Sequence, residues 1–249
     1  MVLENVRGNY GFIRGIGPFS AAVVARPGFE IVSARFHPFA PLARGYDAVE
    51  RHLSALARPI NALCGMHLRI PTPLSRAAFD EFNRPYIERL NSWGLEVEGA
   101  NPVARTNVAL EANPVPEPML AGFFYIVPSD GAVPTFLLSG APEISSRDGA
   151  TPQIVARGDT SADGIRAKTE CVLEVLTACL TELHLSWNHA TTVNLYTVHD
   201  IHALMPTMVA ALGHAALGGI RLHYARPPVS GLEVEIDAYA VGRELVLRE

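Results

Sequence analysis

An α+β two-layer fold, with helices packed on one face of a mixed sheet, is predicted by three features of this 249-residue sequence. Apolar residues make up 49% of it and charged residues 18%, ample for a packed core and too apolar for disorder. Stretches of strand-like apolar sequence alternate with helical stripes of 3.6-residue period. The order strands, helix, strand, helix, strand, strand occurs twice, with a boundary where Pro, Ser, Asp and Gly collect between Ser129 and Pro134. Two tandem units follow, residues 1–130 and 131–249.

The first unit opens on strand-like sequence from Tyr10 to Ala25, and the second on Thr135 to Ser139. Each passes through a polar loop into a helix. From Gly45 to Leu63 the positions Val49, Leu53, Leu56 and Ile60 keep helical spacing, with Pro59 expected to kink that helix or end it early. From Ser161 to Leu183 a Ser/Asp-rich start precedes an apolar stripe (Ile165, Val172, Leu173, Leu176, Leu180), which leaves Arg166, Lys168 and Glu170 for the opposite, solvent-facing side. Short strands follow at Met66 to Ile70 and Thr191 to Thr197. Second helices then run from Phe79 to Trp93 and from Ile201 to Leu212, both expected to break at a proline, Pro85 and Pro206. Each unit closes on two strands joined by a proline-containing turn, Arg105 to Leu110 with Leu120 to Val127, and Ile220 to Tyr224 with Glu233 to Val241. A sheet with helices on one face needs cover on the other, so association between units is expected.

Several function classes are excluded. No apolar run approaches the roughly 18 residues that span a bilayer, and the first fifteen residues lack the pattern of a signal peptide. A soluble, cytoplasmic protein is expected. Three cysteines, Cys64, Cys171 and Cys179, have no CxxC spacing and read as buried thiols. A net charge of −5 without a Lys/Arg cluster offers no counterion-releasing stripe, so no nucleic-acid partner is expected. Neither the phosphate-loop lysine, the dinucleotide glycine fingerprint nor a GxSxG elbow occurs. His199 and His202 stand three apart in HDIH, a spacing zinc can use, but no carboxylate or cysteine pattern completes a site.

FLLSGAP (Phe136 to Pro142), TTVNLYTVHDIHAL (Thr191 to Leu204) and LEVEIDAYAV from Leu232 together resemble the RidA (YjgF) family over nearly all of residues 134 to 243. The first half is similar more weakly, through LSRAAFDEFNRPYIERL and PVARTNVAL (Pro102 to Leu110). The resemblance implies two tandem chorismate-mutase-like units and, more distantly, a likeness to chorismatases. It implies a cofactor-free hydrolytic deaminase of small 2-imino or 2-enamino acids, with no metal, a small carboxylate substrate bound between units, and a homotrimer. The family arginine, which grips the substrate carboxylate through its planar fork, falls on Arg105. In the second half that position is Gly219, and Arg221 lies two residues on, one strand period and roughly 6 to 7 Å further along. The family glutamate falls on Glu235, and on apolar sequence around Leu120 to Gly122 in the first half. A composite pocket is therefore expected between unlike units, with Arg105 on the carboxylate, Glu235 in the acid/base role, and Ser139 and Asn107 lining the cleft. Glu233, Glu235 and Asp237 alternate along one strand, which also fits a solvated acidic face. Arg221 and His223 fit either an anion-binding edge or exposed strand residues. The competing readings are a carboxylate-binding or scaffold protein without turnover, and a chorismatase-like enzyme.

Overall fold

The computed structural model describes residues 1–15, 17–145 and 152–248. The chain opens with short strands β1 (Val2–Asn5), β2 (Tyr10–Ile13) and β3 (Ala22–Ala25), then a long β4 (Phe29–Pro41). Helix α1 (Leu42–Ala55), β5 (Leu63–Ile70), α2 (Arg76–Ser92), β6 (Ala104–Leu110) and β7 (Met119–Pro128) complete the first half. The second half contains β8 (Phe136–Pro142), the small pair β9 (Ile144–Ser145) and β10 (Gln153–Ile154), α3 (Ala162–Glu182), β11 (Thr192–Thr197) and α4 (Met205–Leu212). It ends with β12 (Arg221–Arg226), β13 (Glu235–Ala240) and β14 (Arg243–Leu247).

Among the described residues, twelve strands form one mixed sheet in the order β1-β2-β3-β8-β13-β11-β12-β6-β5-β7-β4-β14. The stretches β8-β13-β11-β12 and β4-β7-β5-β6 follow the same order, strand for strand. Their edges meet antiparallel where Ala225 pairs with Leu110 and Arg226 with Ala109. Arg226 closes this seam on the Glu111 carboxylate with two hydrogen bonds of 2.7 and 3.0 Å. The chain ends cross over: β3 pairs with β8 of the second half, and β14 runs parallel to β4 of the first.

The helices bury their apolar stripes on one face of this sheet. Val49 and Leu53 of α1 and Tyr86 and Leu90 of α2 pack on Met66, Leu68 and Phe123. Val172, Leu176 and Leu180 of α3 pack on Phe136, Leu195 and Ile236, each buried side chain contributing about 1.5–3 kcal/mol. On the other face, residues from both halves, among them Phe12, Ile31, Phe124, Leu137 and Tyr239, share one buried cluster. The cover that the sequence asked of an associating unit is thus supplied within the chain.

Four local expectations are corrected, and the early end of α1 ahead of Pro59 is met. The strand that opens the first half is β4, in the place β8 takes in the second; Tyr10 to Ala25 forms the β2–β3 hairpin, which extends the second half's sheet. Helix α1 stops at Ala55, with Ala57 left-handed and Ile60–Ala62 a single 3-10 turn, because the residue before Pro59 is pushed out of helical backbone. Helix α2 continues through Pro85, which lies on the exposed side of the helix, away from the packed stripe. Pro206 sits in the first turn of α4, where its missing N–H costs nothing, and His202–Leu204 before it is a 3-10 turn. Lys168 does not face solvent: it is fully buried, because the segment around Val155 and Ala156 folds over it and supplies two carbonyls at 3.0 and 2.9 Å.

Candidate active site

A cleft of about 260 Å3 opens where the two halves meet. Its floor is β6, β8 and the start of β13; its walls are α2, α3, Arg14 and Gly15 with Gly17, Pro18 and Phe19, and Pro228, Val229 and Leu232. Alternation along β6 sends Arg105 and Asn107 into the cleft and turns Thr106 to the sheet's other face.

Arg105 is only 2% exposed. One guanidinium nitrogen, Nη2, donates to Asn83 Oδ1 of α2 at 2.8 Å, while Nε and Nη1 have no partner. The rings of Tyr86 and Phe19 lie 4.6 and 4.7 Å from its guanidinium carbon, and Phe79 is at 5.7 Å. These aromatic faces favour a cation without neutralising it. Burial lowers the guanidinium pKa from its ordinary value, and Tyr86, Tyr46 and Glu235 pull the other way. Among the described residues no carboxylate forms an ion pair with it within 4.0 Å. A buried cation in this state is costly until an anion joins it. Asn107, 3% exposed, likewise has both amide atoms unpartnered.

Glu235 reaches the cleft beside Gly140, where a methyl group would overlap its carboxylate. It is 3% exposed, and its pKa is pushed up to about 8, first by burial and next by the negative charge of Asp237; Arg69, Arg105 and the Asn107 backbone N–H act against this. Asp237 is better satisfied. It accepts hydrogen bonds from Thr106 Oγ1 (2.7 Å), Tyr196 Oη (2.8 Å) and Asn194 Nδ2 (2.6 Å), with His67 Nε2 at 3.5 Å. The two carboxylates of one strand thus meet different environments, and Glu235 is set to hold a proton at neutral pH. His67 and His223 are both lowered to about 4 by burial, so neither adds a positive charge there at pH 7.

The sequence-predicted residues divide. Arg105, Asn107, Ser139 and Glu235 line this one cleft. Ser139 Oγ accepts from the Arg105 backbone N–H (3.0 Å) and donates to the Ser20 carbonyl (2.5 Å), so it ties strands together. Arg221 is not among the lining residues: half exposed, it donates to Tyr239 Oη at 3.1 Å and lies 3.8 Å from Glu244. His223 bonds Asn194 Oδ1 and stacks on Tyr196. The acidic alternation on β13 is no solvated face, since Asp237 and Glu235 are both buried. His199 pairs with Glu233 and His202 with Asp200. Cys64 and Cys171 are buried, while Cys179 is half-buried in the cleft wall. Asn83 was missed, although the signal is plain afterwards: it is the polar member of the stripe Phe79, Asn83, Tyr86 and Leu90 that α2 buries.

A chorismatase superposes on 90% of this chain and 78% of its own, with a TM-score of 0.56 and 14% identity, a likeness of fold. A YjgF-family protein from Mycobacterium tuberculosis aligns with 43% of this chain and 78% of its own, at 18% identity and a TM-score of 0.31. A 2-amino-5-chloromuconate deaminase from Comamonas testosteroni is 40% identical over 245 residues, 96% of either chain. The family model described as 2-aminomuconate deaminase CnbZ matches residues 2–245. With this family spanning nearly the whole chain, the protein belongs to the 2-aminomuconate deaminases of the CnbZ type and is a deaminase acting on C–N bonds.

Proposed function

We propose that the cleft hydrolyses the C–N bond of a small unsaturated 2-amino acid of the 2-aminomuconate kind through its 2-imino tautomer, giving a 2-oxo acid and ammonia. The observation that carries this reading is Arg105, a buried guanidinium with Nε and Nη1 unpartnered at the floor of the cleft. Its remaining donors suit the carboxylate beside the reacting carbon, and Asn107 offers a further amide donor and acceptor next to it. Glu235, protonated at neutral pH, gives its proton to the imine nitrogen as water adds to C2. The resulting carboxylate takes a proton from the added water, and the tetrahedral amino alcohol collapses with loss of ammonia. Water and the imino acid are consumed, the oxo acid and ammonia are formed, and Glu235 ends as it began.

The repeated strand order supports reading the chain as a tandem of two related units, 1–130 and 131–249, with the site composite between them. The homotrimer is carried over from the RidA resemblance; exposed Leu222 and Tyr224 on β12 are the apolar surface that fits it. Among the described residues no helix is long and apolar enough to cross a membrane.

The test is ammonia release from freshly generated 2-aminomuconate, comparing the protein with Arg105→Ala and with an enzyme-free control. Acceleration by the parent that falls at least about a hundredfold in the variant, with an unchanged melting temperature, is expected. Equal rates in parent and variant remove the carboxylate role of Arg105. No acceleration by the parent removes the substrate reading.

A further inference from the structure

The cleft carries a second cation that the proposed chemistry does not use. Arg14, exposed at the mouth, lines the same cleft as buried Arg105. Its guanidinium is not loose. Nη2 donates to the carbonyl of Glu98 at 2.7 Å and Nη1 to that of Gly99 at 3.3 Å, more than eighty residues away in sequence. Those carbonyls belong to a tight two-residue turn closed by Val97 and Ala100, which exchange both backbone hydrogen bonds. Both turn residues are left-handed, Glu98 at φ 50° and Gly99 at φ 70°, the pairing a type I′ turn requires. Neutral carbonyls orient the guanidinium and leave its charge uncompensated. Among the described residues no carboxylate lies within ion-pair distance of Arg14. The other cation of the mouth, Arg76, is already paired with Asp80 at 3.3 Å.

We propose that Arg14 receives the distal carboxylate of an extended dicarboxylate substrate whose proximal carboxylate lies on Arg105, and so selects dicarboxylates over monocarboxylates. This rests on the deaminase reading of the cleft given above. Apolar side chains such as Phe19, Phe79, Val229 and Leu232 line the same cleft and suit an unsaturated carbon chain. A guanidinium fixed before binding gives up little side-chain freedom when the ligand arrives, so its charge is available to affinity. Asn107 and Glu235 at the floor act on the proximal end whichever substrate enters. Arg14 therefore governs binding of the chain's far end, and a monocarboxylate loses only that contact.

Two unreactive probes with one carbon skeleton isolate the effect. Hexa-2,4-dienedioate and hexa-2,4-dienoate differ only in the distal carboxylate, and neither carries an amino group to be removed. Calorimetric titration of the parent protein is expected to give dienedioate roughly tenfold tighter binding, as one charge-assisted contact provides. Arg14→Gln should bring the ratio close to one and leave the dienoate constant within about twofold; Arg76→Gln should keep the parent ratio. No preference in the parent, or a preference that survives Arg14→Gln, overturns the proposal. Turnover of 2-aminomuconate by the parent, measured in parallel, separates the two ideas. Turnover with a ratio indifferent to Arg14 removes this subsite and leaves the deaminase reading; a ratio lost in Arg14→Gln without turnover keeps the dicarboxylate site and removes the substrate reading.

Discussion

At the scale of single residues, Glu235 and Asp237 show how one strand places two carboxylates in different surroundings. Asp237 accepts from three side-chain donors, whereas for Glu235 burial and its neighbour's charge outweigh Arg69, Arg105 and the Asn107 backbone N–H. If the protonated form of Glu235 does the chemistry, kcat/KM falls as pH rises above about 8. Asp237→Asn removes the negative charge that raises Glu235, so this limb should move to lower pH; a limb that stays in place shows that Asp237 does not tune it. The same shift has a stability consequence of fixed sign. A carboxyl whose folded-state pKa stands above its ordinary 4.5 contributes fully below that value and loses the contribution as pH rises through about 8. Glu235→Gln should therefore melt above the parent at pH 8.5, with the gap narrowing toward pH 5 in thermal scans. Gly140→Ala tests the same residue sterically: a methyl there overlaps the carboxylate, so activity should fall even where the fold survives.

At the scale of elements, α3 shows what sequence periodicity conveys and what it cannot. Its apolar stripe and its Ser161 cap, which accepts from the Gly164 N–H at 3.2 Å, were legible from spacing and residue type. The burial of Lys168 was not, because it depends on a loop whose path no local pattern encodes. Lys168 Nζ lies 3.6 Å from Glu143, both fully buried, and Glu143 in turn accepts from the Glu233 and Val234 backbone N–H groups just before Glu235. Lys168→Met should cost about 3–5 kcal/mol in denaturant melts by stranding a buried carboxylate, and should disturb Glu235 through residues 233 and 234. A loss under about 1 kcal/mol, within the range of a surface pair, would contradict that role. β4 escaped notice for another reason: its thirteen residues carry Glu30, Arg35 and His37, so its charge hides a strand paired on both sides. Arg105 and Glu235 were legible through motif resemblance, whereas Asn83, Phe19 and Tyr86 join Arg105 from separate parts of the chain and share no sequence neighbourhood with it.

At the scale of the whole molecule, strand exchange links the two halves. β1 to β3 extend the second half's sheet, β14 extends the first's, and one buried cluster draws on both. Residues 1–130 and 131–249 expressed separately should fail to give cooperative melting, and should recover it when combined; independent folding of either half would contradict this interdependence. The cleft depends on the same union, since Arg105 comes from the first half and Glu235 from the second. The central claim is that these two residues face one substrate, and a crystal structure with hexa-2,4-dienedioate bound tests it most directly. A carboxylate is expected on the free guanidinium donors of Arg105, beside Asn107 and within reach of Glu235. A dienedioate bound elsewhere, with Arg105 still unpaired, would contradict it.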